Sequence, residues 1–296
     1  MELTAEQKIE KVKNLRPIDD VFFEVLAANK AVCQEMLQTI LEDPGLIVED
    51  VIVQSSERNI YGRSVRLDAL CILGDGKRVN IEVQRSDNDD HLKRARFNAS
   101  AITVKDSQSG DDFSKIPDVW VVYISEFDFL GEGKTIYHID KTIRETGTVI
   151  HDGAEEIFVN TVIDDGSDIA DLMSCFTRKQ VQSKRFPLLS AEVTKLKSTE
   201  GGVGAVCKIM QEYERIAREE GIQQGIAQGM QQGMQKGMQQ GRQEGRQEGR
   251  REGRQEGILN TLIGLVQDGL LSAKDAAARL QISEAEVMAL ASASAN

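Results

Sequence analysis

The stretch Val65 to Gln84, VRLDALCILGDGKRVNIEVQ, constrains the fold more than any other part of the chain. Two apolar runs flank Gly74-Asp75-Gly76, a pattern that predicts a β-hairpin. In the second run Val79, Ile81 and Val83 alternate with Asn80, Glu82 and Gln84, so one face is apolar and the other polar. Asp68 interrupts the first run. A two-residue turn would place Asp68 opposite Val83, on the apolar face. A three-residue turn with Gly76 in the left-handed bulge position pairs Leu73 with Lys77 and sets Asp68 opposite Glu82. The bulged turn is therefore expected. An acid inside an apolar strand needs a compensating charge, and a divalent cation shared by both carboxylates is one such partner. The plainer alternatives are an ion pair of Asp68 with Arg63 or Arg66, and a solvated edge strand carrying Glu82 and Gln84.

A chain of 296 residues with 40% hydrophobic content can build one substantial core with appendages. The amino terminus is charged from its second residue and no apolar run reaches the length of a membrane span, so a cytoplasmic location without membrane contact is expected. Cys33, Cys71, Cys175 and Cys207 are scattered, as are the histidines, which suggests neither a disulfide framework nor a zinc site. The net charge of -12 argues against a broadly basic nucleic-acid surface and leaves room only for a local basic patch.

The first part of the chain alternates helical and strand patterns and reads as α/β. A helix is expected over 18–41, a strand over 46–54, the hairpin, a helix over 90–104 and a strand over 118–125, with further strands at 135–139 and 156–163.

These segments also carry a resemblance. LRPIDDVFFEVL, GRSVRLD, NIEVQRSDNDDHLKRARFNAS, PDVWVVYISEFDF and RETGTVIHDGAEEIFVNT, in order from about Leu15 to about Thr177, resemble the PD-(D/E)xK nuclease family transposases, or recombination-promoting nucleases. The resemblance implies a restriction-endonuclease-like mixed sheet flanked by helices, and Mg²⁺-dependent hydrolysis of DNA phosphodiesters, with Mn²⁺ as an alternative ion. It puts Asp68 and Glu82 at the two acids of the motif, where they would ligate the metal, and Gln84 where the motif usually has Lys. The Val83 carbonyl is a further candidate ligand. Gln84 can orient a water but adds no charge to the transition state. Asp20 matches an N-terminal accessory acid of the family, or is a helix-start charge favoured by the macrodipole. His91, Arg94 and Asn98 share one helix face, where they are candidate DNA phosphate contacts or an ordinary polar face. The function expected is a DNA endonuclease of recombination or mobile elements. The alternative is a weak or inactive nuclease fold that binds DNA or a protein partner.

Past a nuclease-like domain at 1–177 and a connector at 178–202, a third segment, 203–257, holds a second regularity. Glycine recurs every fourth residue from Gly221 to Gly257, ten times. Each mid-helix glycine costs roughly 0.5–1 kcal/mol relative to alanine, so close packing must offset this or the tract is disordered. Arg242, Arg246, Arg250 and Arg254 flank the glycines on one side, and Glu244, Glu248, Glu252 and Glu256 on the other. A parallel pair of such helices would oppose Arg to Glu, so self-association into a homo-oligomer through 221–257 is expected; a flexible tether and a replication-slippage tract are the alternatives. The last segment, 258–296, is read as short helices with capping-box spacing at Ser272/Asp275 and Ser283/Glu286.

Overall fold

The computed structural model describes residues 4–57, 65–87, 90–107, 109–110 and 112–293. In chain order the elements are α1 (Ala5–Asn14), α2 (Asp20–Ala27), α3 (Lys30–Ile40), β1 (Val48–Glu57), β2 (Val65–Leu73), β3 (Arg78–Gln84), α4 (His91–Lys105), β4 (Val119–Ser125), β5 (Ile136–Ile139), β6 (Lys141–Thr142), β7 (Val149–Ile150), β8 (Ala154–Asn160), α5 (Asp168–Phe176), α6 (Pro187–Ser198), α7 (Glu200–Gln267), α8 (Ala273–Leu280) and α9 (Glu284–Ala293). Two compact units result, Met1–Ile216 and Ala217–Asn296.

The first unit is built on a six-stranded sheet of order β1-β2-β3-β4-β8-β5. Strands β3, β4 and β8 run parallel, while β1, β2 and β5 pair antiparallel with their neighbours, so the sheet is mixed. The parallel step from β3 to β4 needs a crossover, and α4 supplies it. Alternation then sorts the side chains. Ala69, Cys71, Val79, Ile81, Val122, Ile124, Ile157 and Val159 enter the large core with α2, α3, α5 and α6. Leu70, Val121, Tyr123 and Phe158 face the opposite layer with Ala95 and Ile102 of α4. This is the restriction-endonuclease-like α/β arrangement, with helices on both faces.

Two differences from the sequence expectation have local causes. The helix expected over 18–41 is broken into α2 and α3 because the Asn29 side chain caps the second, accepting from the Ala31 N–H at 3.1 Å. Asn29 also donates to Glu192 at 2.8 Å, which ties the break to α6. Where a connector is expected, Pro187 starts the helix α6 and Leu189, Val193 and Leu196 bury its inner face. Val203, Val206 and Cys207 of α7 join the same core, so the compact unit runs to Ile216 and not to 177. Gly202 makes this junction possible, since a Cβ there would sit 2.6 Å from both the Leu196 Cα and the Lys195 carbonyl oxygen.

The glycine tract is helical throughout and lies within α7. Its side chains are exposed, among them Ile222, Ile226, Met230, Met234 and Met238. In the second unit, Ile263, Ala276, Ala277 and Val287 form a small core that joins the end of α7 to α8 and α9. Both expected caps are present, the Ser272 and Ser283 hydroxyls accepting from the Asp275 and Glu286 N–H groups at 3.1 and 3.2 Å.

Candidate active site

The hairpin adopts the bulged turn. The Leu73 N–H donates to the Lys77 carbonyl at 3.0 Å, the Gly76 N–H to the Leu73 carbonyl at 2.9 Å, and Gly76 has φ +88°. A residue with a Cβ is strained at that φ. The ladder pairs Cys71 with Val79 and Ala69 with Ile81, which brings Asp68 to Glu82 one step further on. There the two acids are laced together: the Asp68 N–H donates to Glu82 Oε1 at 3.2 Å, and the Val83 N–H donates to Asp68 Oδ2 at 3.0 Å. Asn80 adds a third bond, from its side-chain amide to Glu82 Oε1 at 3.0 Å.

Glu82 is fully buried and Asp68 is partly so. Burial holds the Asp68 carboxyl well above the usual carboxylate range, and the Glu82 and Asp20 charges push it further, against the Val83 N–H and Arg94. Burial also raises Glu82, opposed by Asn80, Arg94 and the Asp68 amide. Two acids that are both costly to ionise together form a site short of positive charge. Arg66 does not pair with Asp68: its Nη2 lies 3.7 Å from Glu24 Oε2. Arg63 lies outside the described residues.

Arg94 of α4 reaches the pair. Its Nη2 lies 3.4 Å from Glu82 Oε2, and its Nη1 donates to Gln84 Oε1 at 3.0 Å. The amide end of Gln84 is also engaged, donating to the Ser86 carbonyl at 2.9 Å and its hydroxyl at 3.1 Å. The face that Arg94 shares with His91 and Asn98 is real, but it packs inward on the sheet. His91 is buried, with its ring nitrogens 3.0 Å from the Tyr123 hydroxyl and 3.0 Å from Asp87, and its ring lies against Phe127 and Phe129. Asn98 is buried as well, and its side-chain nitrogen has no partner among the described residues. Only Arg94 of the three stands beside the acids.

Asp20 lies in the first turn of α2 and belongs to the same electrostatic group. Desolvation raises its pKa, while Arg85 and Arg94 lower it. A network of charges anchors this end of α2: Arg85 pairs with Asp19 at 2.9 Å and with Glu126 at 3.2 Å, and Arg16 pairs with both acids. It joins the helix to the chain just beyond β3 and β4.

Two neighbours of the acids were not expected from the sequence. Glu24, one turn after Asp20, has its carboxyl pushed up to about 7 by burial, against the Arg66 charge and a hydrogen bond from Tyr213. Tyr213 comes from α7, and burial and the Asp68 charge raise its phenol above the ordinary range. Its ring lies 4.5 Å under the Arg66 guanidinium. The spacing of Glu24 from Asp20 was a usable signal; nothing local points to Tyr213.

Among the described residues no group of three or more His, Cys, Asp and Glu side chains is arranged to hold a metal ion. Mg²⁺ does not require one, since one or two carboxylates with waters and a substrate phosphate complete its shell. The excess of buried negative charge at Asp68 and Glu82 fits that mode.

The first unit is thus a mixed α/β domain with helices on both faces of the sheet and two facing acids on adjacent strands. Residues 17–162 match the family model of the PD-(D/E)XK nuclease family transposases. No curated protein and no solved structure matches the chain. Among the described residues no helix is long and apolar enough to cross a membrane.

Proposed function

We propose that the chain is a divalent-metal-dependent DNA endonuclease that hydrolyses phosphodiester bonds at Asp68 and Glu82, serving recombination or mobile elements. The observation that carries this reading is the Arg94 guanidinium, set against both Glu82 and Gln84. It offers, from a helix, the positive charge that the strand position of Gln84 lacks. Held by Asp68, Glu82 and the Val83 carbonyl, Mg²⁺ or Mn²⁺ would supply a bound water of lowered pKa and screen charge on the phosphoryl group. The protein's own residues do the rest. Asn80 and the Asp68 and Val83 N–H groups fix the carboxylate orientations, so little reorganisation accompanies reaction. Arg94 faces the negative charge that develops on the phosphate, and Asp20 is an accessory acid beside it.

Self-association through 221–257 belongs to the same reading. Among its supports are ten glycines whose Cβ positions meet nothing within 4 Å, and the exposed Ile and Met side chains beside them. The occupant is a second, parallel copy, in which Arg242, Arg246, Arg250 and Arg254 oppose the Glu stripe.

The test is cleavage of an end-labelled DNA duplex in Mg²⁺ or EDTA. Metal-dependent cleavage that falls about 100-fold or more in Arg94→Ala is expected; cleavage unaffected by EDTA would refute the reading. A second reading, a DNA-binding or protein-interaction module of attenuated activity, is favoured by Gln84, both of whose ends are occupied. It predicts specific DNA binding without cleavage, and activity gained in Gln84→Lys.

A further inference from the structure

The first turns of α7 lie beyond the matched segment, yet within the compact unit that carries the acids. Val203, Val206 and Cys207 sit in its core, and Tyr213 follows Val206 by two turns on the same side of the helix. The tyrosine ring lies under Arg66, with 4.5 Å from the guanidinium carbon to the ring centroid, a cation–π geometry. Its hydroxyl also bears on the Glu24 carboxyl, favouring the ionised form. Glu24 alone would hold Arg66 poorly: the 3.7 Å separation is too long for a hydrogen bond, and the buried Arg66 Nη2 has no hydrogen-bond partner among the described residues. Arg66 precedes Asp68 by two residues on β2, and Glu24 follows Asp20 by one turn on α2. A single side chain from α7 thus stacks on Arg66 of β2 and, through Arg66 and Glu24, bears on both elements that carry the acids.

We propose that Tyr213 is a positioning residue of the acid site, holding Arg66 and Glu24 so that β2 and α2 present Asp68 and Asp20 to one substrate phosphate. Its effect on cleavage rests on the hydrolytic reading above, whereas the contact itself does not. The ring gives the Arg66 guanidinium a platform, and the hydroxyl stabilises the ionised form of Glu24. Glu24 also faces Arg66 and Glu212, the first favouring its charge and the second opposing it. The nuclease site therefore includes the start of the same helix that continues into the glycine tract.

The test uses the full chain as wild type, Tyr213→Phe and Tyr213→Leu. Tyr213→Phe keeps the ring under Arg66 and removes only the hydroxyl. Carboxyl-carbon NMR, with Glu24 assigned through Glu24→Gln, reads the Glu24 titration without any need for activity. Its midpoint is expected to rise by about one unit in Tyr213→Phe, as loss of one hydrogen bond to a carboxylate implies. An unchanged midpoint overturns the proposal. The pH profile of Mg²⁺-dependent plasmid nicking is the second readout. Tyr213→Leu is expected to lose about tenfold or more in kcat/KM at every pH, while Tyr213→Phe recovers toward wild type above its shifted midpoint. Identical profiles for all three chains overturn the positioning role. If wild type does not cleave, the hydrolytic reading fails by itself, and the Glu24 titration alone decides the proposal.

Discussion

Replacing Asp68 with Asn should make the protein more stable in the absence of metal and blind to its addition. Asp68 and Glu82 both have raised folded-state pKa values. For an acid the sign follows directly: the favourable contribution is full below the ordinary carboxylate pKa and is lost as pH rises through the raised folded value. At neutral pH the wild-type fold therefore carries an electrostatic cost that Asp68→Asn removes. The amide oxygen can still accept from the Val83 N–H, which stands 3.0 Å from the carboxylate in wild type. Removing a buried charge that is only partly compensated is expected to relieve on the order of 1–4 kcal/mol at pH 7.5. A unit of this size gains about 2–4 °C in Tm per kcal/mol. Added metal should act oppositely on the two chains. Mg²⁺ at ten times its Kd stabilises wild type by about 1.4 kcal/mol, or about 3–6 °C, and leaves Asp68→Asn unmoved. Differential scanning calorimetry at pH 5 and 7.5, with Mg²⁺ or EDTA, reads all four conditions. The reasoning is refuted if Asp68→Asn melts below metal-free wild type at pH 7.5, or if both chains gain equally from Mg²⁺.

Three further perturbations probe other parts of the account. Gly202→Ala places a Cβ 2.6 Å from backbone atoms of Lys195 and Leu196, so it should destabilise by about 1–3 kcal/mol in thermal melts despite alanine's better helix propensity. Gly237→Ala, Gly241→Ala and Gly245→Ala combined meet no neighbour and should each favour the helix by about 0.5–1 kcal/mol. Sedimentation should nonetheless show weaker self-association, and an unchanged mass would remove the glycine stripe from the interface. Reversing Arg242, Arg246, Arg250 and Arg254 to Glu should give a monomer that pairs with a chain whose Glu stripe is reversed to Arg; pairing of the first variant with itself would exclude the parallel arrangement.

The hairpin was legible because two independent constraints agree on one register. Gly74-Asp75-Gly76 permits the bulge, and the alternation of Val79, Ile81 and Val83 rejects the slip that would bury Asp68 among apolar side chains. The caps at Ser272 and Ser283 were legible for a similar reason, being local bonds between residues three apart. What escaped was tertiary. Helical spacing places His91, Arg94 and Asn98 on one face but does not say that the face turns toward Tyr123 and the sheet. Leu189, Val193 and Leu196 are diluted by Lys and Ser, so α6 read as a connector until the core of the first unit supplied partners for them. Asn29 carries a capping signal inside an otherwise helical pattern, and the apolar periodicity on either side masked it. Tyr213 and Arg66 meet only because the chain folds back across the whole domain, and no spacing in the sequence encodes that contact.

The charge deficit at Asp68 and Glu82, met in part by Arg94, is the centre of this account. Its most direct test is nicking of supercoiled plasmid by the purified full chain in Mg²⁺ or EDTA, comparing wild type with Asp68→Asn and Glu82→Gln. Wild-type cleavage should stop in EDTA and in both variants, each still folded by calorimetry. Cleavage that persists in either variant, or folded wild type that neither cleaves nor takes up metal, would contradict it.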